Sequence, residues 1–309
     1  MSNCNICNNS EQKIFRSKVS LGFDTEYDLV ECPDCKAIYF DVMPTNDELA
    51  KFYSGSYFNF NRWHDEVKGY FYAKKLNRIK SDGNFLDIGS ALGYFIYGIK
   101  QNSNWNVYGV EFGEDAVKFA QDKLDLNVKQ GEIQNAEFPN KFFDYIHINN
   151  VLEHVRDPKG FLSECRRIIK DDGYLFLSVP NGYNDSRNLI KFYEEENKPA
   201  RSKSGHLYFF QKEIYSKLFE TTGFKIQKSK TNGIKRGLRN LEILPKKKNW
   251  KTDYYPQQPS KKSNIKIDEE KKYSDFYYKF RCMQIRLYDI PGLHKYGLDF
   301  VFLLRPIKQ

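Results

Sequence analysis

A regular alternation of short apolar runs and amphipathic segments, from Asn84 to the end of the chain, is the feature that most constrains the fold. The apolar runs have the length of strands, and the segments between them carry apolar residues at helical spacing. Strands are predicted at 85–88, 107–111, 127–130, 143–148, 174–179, 224–229 and 296–304, and helices at 94–100, 114–122, 161–170 and 211–222. The alternation predicts an α/β fold with a doubly wound, mostly parallel sheet.

A glycine-containing loop, Leu86-Asp-Ile-Gly-Ser-Ala-Leu-Gly93, follows the first predicted strand and opens the first helix. Gly89 and Gly93 let the backbone turn sharply and approach a ligand closely. Glu111 ends the second strand, where a carboxylate can accept hydrogen bonds from both hydroxyls of a ribose. The sequence therefore predicts that a nucleoside-containing ligand binds at this edge of the sheet.

Two kinds of cofactor compete for this loop. A dinucleotide requires Gly-x-Gly-x-x-Gly spacing and backbone amides that face a pyrophosphate, and the loop lacks that spacing. Asp87 lies beside the loop, where it would repel an anion but attract the positive sulfonium and ammonium groups of S-adenosylmethionine (SAM). The residues favour SAM over NAD.

Several segments follow one another in the order typical of one enzyme family. They are Leu86-Asp-Ile-Gly-Ser-Ala-Leu-Gly93, Gly109-Val-Glu-Phe112, Phe143-Asp144, Asn150-Val-Leu-Glu-His-Val-Arg-Asp-Pro158, Phe161-Leu-Ser-Glu164, Arg167-Ile-Ile-Lys170, Gly173 and Val179-Pro-Asn181. Together they resemble the motifs of class I SAM-dependent methyltransferases over residues 84–229. The resemblance implies a Rossmann-like methyltransferase fold with SAM as the cofactor.

The same resemblance implies roles for residues at the methionine and ribose parts of SAM. Asp87, Gly89 and Gly93 would line the methionine part, and Glu111 would hold the ribose. Ala91 stands where the family often has a middle glycine. We expect this methyl group to be tolerated with a slight narrowing of the site.

Further residues would surround the adenine and the transferred methyl group. By the resemblance, Phe112 would lie against the adenine ring. Glu132 and Ile133 would flank the edge of the adenine, and Asn149 and Asn150 would close the pocket near the methyl group. Taken singly, each residue could instead serve the fold alone, but together, at these spacings, the cofactor interpretation is favoured.

Four cysteines form two close pairs near the start of the chain. Cys4 and Cys7 are followed, after 24 residues, by Cys32 and Cys35. Two such knuckles can direct four thiolates at one ion, and four thiolates suit a closed, structural zinc site. The spacing predicts a zinc ribbon-like module, with iron in the same geometry, or four unligated thiols, as the weaker alternatives.

The residues after the cysteines extend the resemblance. Ile38-Tyr-Phe40, Pro44 and Phe52-Tyr53 resemble the lead-in of a methyltransferase subgroup that often modifies sugars and nucleotide-linked sugars. Lys36 departs from the glycine usual after the second cysteine pair. The subgroup implies carbohydrate modification as a candidate function.

The predicted domains follow from these segments. Residues 1–43 form the zinc-binding module, 44–83 a helical lead-in, and 84–309 the SAM-binding domain, with insertions at 181–208 and 230–295. Insertions this long within a compact domain usually act as lids or contain structure of their own. A helix at 268–288 is predicted within the second insertion.

Charge is divided unevenly along the chain. Residues 1–190 carry a net charge of −5, and residues 191–309 a net charge of +14. A basic region attracts anions such as nucleotides or phosphorylated sugars, although a solvated lysine-rich surface explains the same composition. The candidates for binding an anionic acceptor are Arg201, Lys203, Lys235, Arg236 and Arg239.

Two histidines could remove a proton from an oxygen acceptor. His154 follows the fourth predicted strand of the alternating region, and His206 ends the first insertion. Either could instead make a structural hydrogen bond, and His147, inside a strand, is interpreted as a packing residue. A Glu-x-x-Glu-His metal triad is incomplete because Asn150 occupies its first place, so no catalytic metal is predicted.

The sequence therefore predicts methyl transfer from SAM to an anionic small molecule. A methyltransferase acting on nucleic acid or protein, and a catalytically inactive SAM-binding scaffold, are the alternatives. No apolar run approaches the roughly 18 residues of a membrane helix, and the N-terminus has no apolar stretch typical of a signal peptide. A cytoplasmic location is expected, and the oligomeric state is left open.

Overall fold

The computed structural model describes residues 3–19, 23–53, 62–187, 189, 205–240, 242–245 and 289–308. Its strands are β1 (Lys13–Val19), β2 (Tyr27–Glu31), β3 (Ile38–Phe40), β4 (Asp82–Ile88), β5 (Asn104–Glu111), β6 (Asn127–Gln130), β7 (Phe143–Asn149), β8 (Ile169–Pro180), β9 (Tyr208–Phe209), β10 (Phe224–Asn232) and β11 (Asp299–Pro306). The described helices are α1 (Asn46–Tyr53), α2 (Arg62–Leu76), α3 (Tyr94–Lys100), α4 (Glu114–Leu124), α5 (Pro158–Ile168), α6 (residues 182–187), α7 (Lys212–Thr221) and α8 (Ile234–Asn240). Arg201, Lys203 and the helix predicted at 268–288 lie outside the described residues.

A seven-stranded sheet forms the centre of the fold, in the order β10-β11-β8-β7-β4-β5-β6. The five strands from β8 to β6 are parallel, whereas β11 runs antiparallel to both β8 and β10. The prediction of a mostly parallel sheet is confirmed. Chain order reverses between β4 and β7, and a cleft outside the carboxyl ends of strands is expected at such a switch point.

Both faces of this sheet are buried, and the side-chain alternation of its central strands explains why. Phe85 and Tyr145 are register partners on β4 and β7, and both belong to the core that contains Phe95. The next pair, Leu86 and Ile146, belongs to the core on the opposite face. Parallel strands covered on both sides read as nearly continuous apolar runs, which is the pattern in the sequence.

The ends of the helices follow from local hydrogen bonds and from strand pairing. Asp157 caps α5 by accepting a hydrogen bond from the backbone N–H of Gly160 at 3.0 Å, and Pro158 occupies the first turn, where its missing N–H costs nothing. The helix ends at Ile168 because Ile169 already pairs with Phe143 of β7. The helix predicted at 161–170 is thus displaced towards the N-terminus.

A second, four-stranded sheet has the order β1-β2-β3-β9. Three strands come from the cysteine-containing segment, but β9 comes from the insertion at 181–208. Ile38 pairs with Phe209 and Tyr39 pairs with Tyr208, both antiparallel. Buried residues of this small sheet and of the large sheet form one continuous core, so the N-terminal segment packs directly on the larger sheet.

None of the helices in the described part of the chain has both the length and the apolar character needed to cross a bilayer. The longest, α2, has 15 residues and carries charged side chains at both ends. It packs beside α3 at the face of the large sheet. Its role is therefore to cover the sheet.

Candidate active site

A cavity of about 440 Å³ opens where the carboxyl ends of β4, β5 and β7 meet. We call it the donor cavity. Its lining includes all ten residues for which the resemblance implies contact with the cofactor, namely Asp87, Gly89, Ala91, Gly93, Glu111, Phe112, Glu132, Ile133, Asn149 and Asn150. The fold thus brings residues from the ends of four separate strands, β4, β5, β6 and β7, to one place.

Gly89 sets the shape of the loop at the floor of this cavity. Its φ of +76° lies in the left-handed region, which favours glycine. A Cβ atom added there would lie 2.4 Å from Cγ2 of Val151, closer than two carbon atoms can approach. The backbone of this loop can therefore pass under Val151 only because residue 89 has no side chain.

Glu111 is held in position by two backbone amides. The side chain is buried, and its Oε2 accepts a hydrogen bond from the N–H of Ala91 at 2.9 Å. Its Oε1 accepts one from the N–H of Gly113, also at 2.9 Å. A carboxylate oxygen can accept more than one hydrogen bond, so Glu111 is fixed and can still accept from ligand hydroxyls.

Asp87 and His147 form a buried pair at the methionine end of the predicted cofactor site. They are register partners on β4 and β7, and Oδ1 of Asp87 shares a hydrogen bond of 2.6 Å with Nδ1 of His147. The imidazole also stacks on Phe176, with ring centroids 4.9 Å apart. His147 packs as predicted, but sequence reasoning missed its contact with Asp87.

Burial governs the ionisation of this pair. It raises the pKa of Asp87 well above the ordinary range, opposed by the positive charge of Lys68. It also lowers the pKa of His147 well below the ordinary range, and Lys68 and Lys75 act in the same direction. Burial therefore favours the neutral form of each of the two groups.

The other end of the donor cavity offers space and aromatic surface. A Cβ atom added to Gly131 would meet nothing within 4 Å, so open space adjoins the backbone there. The rings of Phe112 and Tyr53 lie 5.6 Å apart, and Tyr53 and Leu49 bring α1 to the lining. Sequence reasoning assigned no cofactor contact to α1, because only the tertiary packing places it there.

Beyond the end of β7 lies a compact group of three titratable residues, which we call the Glu153 cluster: Glu153, His154 and His206. One carboxylate oxygen and one ring nitrogen of each histidine lie within 4.8 Å of one another. His154 also lines the donor cavity. The N–H of Leu207 donates to the carbonyl of Glu153 at 2.8 Å, which brings the insertion containing His206 to this site.

Both imidazole rings of the Glu153 cluster are held at Nδ1. For His154 the partner of Nδ1 is the carbonyl oxygen of Gly205, at 2.9 Å. For His206 it is Oδ2 of Asp185, at 2.7 Å. The two rings lie edge to face with centroids 4.9 Å apart. The two predicted histidines are therefore neighbours, although 51 residues separate them.

The charges around the Glu153 cluster shift all three groups. Burial raises the pKa of Glu153 to about 8. Burial and the neighbouring His206 lower the pKa of His154 to about 3. Burial alone would lower the pKa of His206, but the carboxylates of Asp185, Glu153 and Asp299 raise it to about 9.

Two of the basic residues predicted to bind an acceptor, Arg236 and Arg239, lie on α8. Arg236 lies on α8, half-buried, and burial lowers its pKa while the carboxylate of Asp299 raises it. Asp299 is also an electrostatic neighbour of His206, so Arg236 is linked to the Glu153 cluster through a shared carboxylate. Arg239 lies one turn further along the same helix and is partly buried.

The four N-terminal cysteines converge as predicted. All four sulfur atoms lie within 4.8 Å of one another, with 3.6 Å between Cys4 and Cys35 and 3.5 Å between Cys7 and Cys32. These distances exclude disulfide bonds, which are about 2.05 Å long. Tetrahedral zinc with bonds of about 2.3 Å would separate its sulfurs by roughly 3.8 Å, so this sulfur set could hold one ion.

The two cysteine pairs are built alike. The turn at Cys4 closes with a hydrogen bond from the N–H of Asn8 to the carbonyl of Cys4, and the turn at Cys32 with one from Lys36 to Cys32. Asn8 and Lys36 both adopt positive φ, at 64° and 60°. Lys36 therefore takes the left-handed conformation that glycine usually supplies at this position.

Comparison with known proteins bears on the same region. A family model described as a methyltransferase domain matches residues 60–229. An uncharacterized protein of Methanocaldococcus jannaschii is 28% identical over 171 residues, which are 54% of this chain and 77% of that protein. A ubiquinone biosynthesis O-methyltransferase of Yersinia enterocolitica is 28% identical over 155 residues, 43% of this chain and 60% of the relative.

Among solved structures, the similarity is found at low sequence identity. A SAM-dependent methyltransferase from Archaeoglobus fulgidus is 19% identical and covers 80% of this chain and 96% of its own, with a TM-score of 0.48. The family assignment does not depend on this likeness. Because the segment matched by the family model makes up more than half of the chain, the protein belongs to the methyltransferase domain family and is a SAM-dependent methyltransferase.

Proposed function

We propose that the protein transfers the methyl group of SAM to an oxygen atom of an anionic small molecule, such as a nucleotide-linked or phosphorylated sugar. The observation that carries this proposal is the position of the Glu153 cluster, because His154 belongs both to the cluster and to the lining of the donor cavity. Methyl transfer is an in-line displacement that depends on alignment of donor and acceptor. An acceptor at this cluster would lie beside the methyl donor.

In this proposal the donor cavity binds SAM in one orientation. Glu111 accepts from the ribose hydroxyls, and the adenine lies between Phe112 and the open space beside Gly131. Glu132, Ile133, Asn149 and Asn150 complete the enclosure in the roles that the resemblance implies. Asp87 faces the positive ammonium group, which favours its ionised form.

Oxygen is the proposed acceptor atom because the site offers groups that can manage a proton. A hydroxyl must lose its proton before or during methyl transfer, whereas many amines need no such help. We assign this step to His206 as the base, with His154 as the alternative. Because the pKa of His206 is raised to about 9 and that of His154 is lowered to about 3, His206 would accept a proton only at alkaline pH, whereas His154 is unprotonated at neutral pH. The Yersinia relative is named an O-methyltransferase, and this supports oxygen without identifying the acceptor.

An anionic acceptor is proposed from the position of α8. This helix brings Arg236 and Arg239 to the side of the fold where Asp299 adjoins His206. Arginine can hold a phosphate through two parallel hydrogen bonds, so it can orient as well as attract. Arg201 and Lys203 stay candidates from the sequence alone.

Steady-state kinetics with a panel of nucleotide sugars, sugar phosphates and matched neutral sugars tests this proposal. We expect methylated products only from anionic acceptors, with mass spectrometry locating the methyl group on oxygen. Equal rates with neutral acceptors, or methylation of nitrogen or carbon, would contradict it. Methylation of RNA, DNA or protein with a steep salt dependence would instead support the polymer alternative.

We also propose that Cys4, Cys7, Cys32 and Cys35 hold one structural zinc ion in a module of residues 1–43. The spacing of the sulfur atoms supports this, and four thiolates leave no position for substrate. Residues 44–83 then serve as a lead-in to the SAM-binding domain at 84–309. Elemental analysis of freshly purified protein should give one zinc per chain, and metal-free protein that is fully folded would refute the assignment.

A further inference from the structure

The Glu153 cluster contains a buried carboxylate that its surroundings do not satisfy. The Glu153 side chain is 1% exposed, and within the described part of the chain no other residue donates a hydrogen bond to either of its carboxylate oxygens. Nε2 of His154 lies 3.8 Å from Oε1, too far for a hydrogen bond. Buried carboxylates are ordinarily paired, hydrogen-bonded or bound to a metal.

The two histidines beside this carboxylate are arranged as metal ligands commonly are. A histidine that binds a metal usually donates its other ring N–H to a carbonyl or a carboxylate, which fixes the ring and its tautomer. Nδ1 of His154 is hydrogen-bonded to a carbonyl, that of Gly205, and Nδ1 of His206 to a carboxylate, that of Asp185. In both rings a metal ion would therefore bind through Nε2.

We propose that Glu153, His154 and His206 bind a divalent first-row transition-metal ion. One carboxylate and two imidazoles are a donor set that such ions accept, with positions left for substrate or water. The ligand atoms already lie within 4.8 Å of one another. The inference rests on the proposed function, since it assigns to that site the means by which an acceptor hydroxyl is activated.

The ion changes how the acceptor loses its proton. Coordination to a divalent ion lowers the pKa of a hydroxyl, so the proton can pass to solvent and neither histidine has to accept it. The oxygen lone pair then forms the bond to the methyl carbon. The bond from that carbon to sulfur breaks with its electrons staying on sulfur, which gives a methyl ether and S-adenosylhomocysteine.

This inference departs from the prediction that the chain has no catalytic metal. That prediction rested on Asn150, which replaces the first glutamate of a Glu-x-x-Glu-His triad. In the structure the third ligand comes instead from His206, in a separate insertion. The sequence gives no spacing rule for a ligand that reaches the site across the fold.

Mn²⁺ titration of the full-length, zinc-loaded protein tests the proposal. Mn²⁺ prefers carboxylate and imidazole to thiolate ligands, so it should not compete for the cysteines. Electron paramagnetic resonance should show one bound Mn²⁺ per chain, and bound metal should raise the melting temperature. Glu153→Gln and His206→Gln should abolish this binding, whereas Glu220→Gln, at an exposed position on α7, should not change it.

Retained SAM binding shows that a variant is folded and keeps the test decisive. Unchanged Mn²⁺ stoichiometry in folded Glu153→Gln or His206→Gln, or no Mn²⁺ binding by the parent protein, would overturn the metal site. Full O-methylation by chelator-treated protein would overturn the metal's role while leaving the proposed function intact. Specific Mn²⁺ binding without methylation of any anionic acceptor would overturn the proposed function while leaving the metal site intact.

Discussion

The two ends of the active-site cleft differ in how their buried charges are satisfied. In the donor cavity, Glu111 accepts from two backbone amides and Asp87 is hydrogen-bonded to His147. In the Glu153 cluster both histidines are anchored, but no other described residue donates a hydrogen bond to the carboxylate of Glu153. Among the described residues, the donor cavity leaves Nε2 of His147 and Oγ of Ser90 without a partner but satisfies the carboxylates of Asp87 and Glu111, whereas in the cluster the carboxylate itself is unsatisfied.

This difference separates residues that stabilise the unliganded fold from residues that do not. Glu111 stabilises the loop beside which we propose that it binds the ribose, so its loss should disturb a site already formed. Glu153 is a buried carboxyl group whose pKa is raised to about 8 by burial, so in the unliganded protein it is mostly neutral at neutral pH but still lacks a partner from another residue, which is unfavourable. A residue kept at such a cost is expected to act in binding or catalysis rather than in folding.

The largest expected effect concerns Glu153. We expect Glu153→Gln to lower kcat by about 10²–10⁴-fold, the range associated with losing proton or metal activation of the acceptor. SAM affinity should stay unchanged, and the free energy of unfolding should change little, because one buried polar group without a partner from another residue replaces another of similar size. Rates, calorimetry and chemical denaturation measure the three quantities. Loss of SAM affinity in Glu153→Gln would show that Glu153 also serves SAM binding, and would contradict the separation of the two ends.

The next effect concerns the ribose. Glu111→Ala should weaken SAM binding by about 1.5–3 kcal/mol, roughly 10- to 150-fold, since a charge-assisted hydrogen bond is lost. Isothermal calorimetry measures it. The matched control is Glu114→Ala, three residues later on the exposed face of α4, where the carboxylate forms a surface ion pair with Lys118. Equal affinities in both variants would refute the assignment of Glu111 to the ribose.

A smaller effect should appear as a pH dependence of SAM binding. Burial raises the pKa of Asp87, so its carboxyl group is neutral up to a higher pH than an ordinary aspartate. The ammonium group of SAM binds the ionised form, so affinity is present above the raised pKa and is lost as pH falls through it. One proton limits the slope to about tenfold per pH unit.

A ligand without the ammonium group provides the control for this pH dependence. Methylthioadenosine shares the adenine and ribose of SAM but has no amino acid part. Its affinity should stay constant over the pH range in which SAM binding weakens. Parallel pH curves for the two ligands would place the titrating group away from Asp87.

The smallest expected effect is that of Arg236. Arg236→Ala should raise the KM of an anionic acceptor roughly three- to tenfold, because a partly solvated charge contributes around 1 kcal/mol, and it should leave SAM affinity unchanged. Lys217→Ala, exposed on α7, is the control for a general loss of positive charge. If both variants behave alike, attraction by the whole basic surface explains the binding, and no specific acceptor contact is needed.

The donor cavity was predictable because its residues follow the ends of consecutive strands. Each of the ten predicted residues lies within a few positions of the carboxyl end of β4, β5, β6 or β7, and parallel strands bring such ends together. The contact of His147 with Asp87 was not predicted, although the register of the two strands makes them neighbours. The sequence contains the alternation on each strand but not which strands are adjacent.

The Glu153 cluster was predictable only in part. His154 and His206 were identified as separate candidates, whereas Glu153, Asp185 and Asp299 gained significance only when the fold placed them around His206. Electrostatic neighbours from four chain segments leave no local spacing to recognise. Helix boundaries failed for a similar reason, since β8 begins at Ile169 through pairing with β7 and not through any local breaker.

The strand pair formed by β3 and β9 has a consequence for the order in which the chain can be assembled. Tyr39 leaves the ribosome early, but its partner Tyr208 is synthesised only after most of the SAM-binding domain. Domains generally fold from the N-terminus during synthesis, yet this small sheet cannot close until Phe209 has emerged. The small sheet therefore gains its fourth strand only late in synthesis, although its other three strands are synthesised earlier. On a ribosome stalled before Phe209, the edge of β3 should stay unpaired.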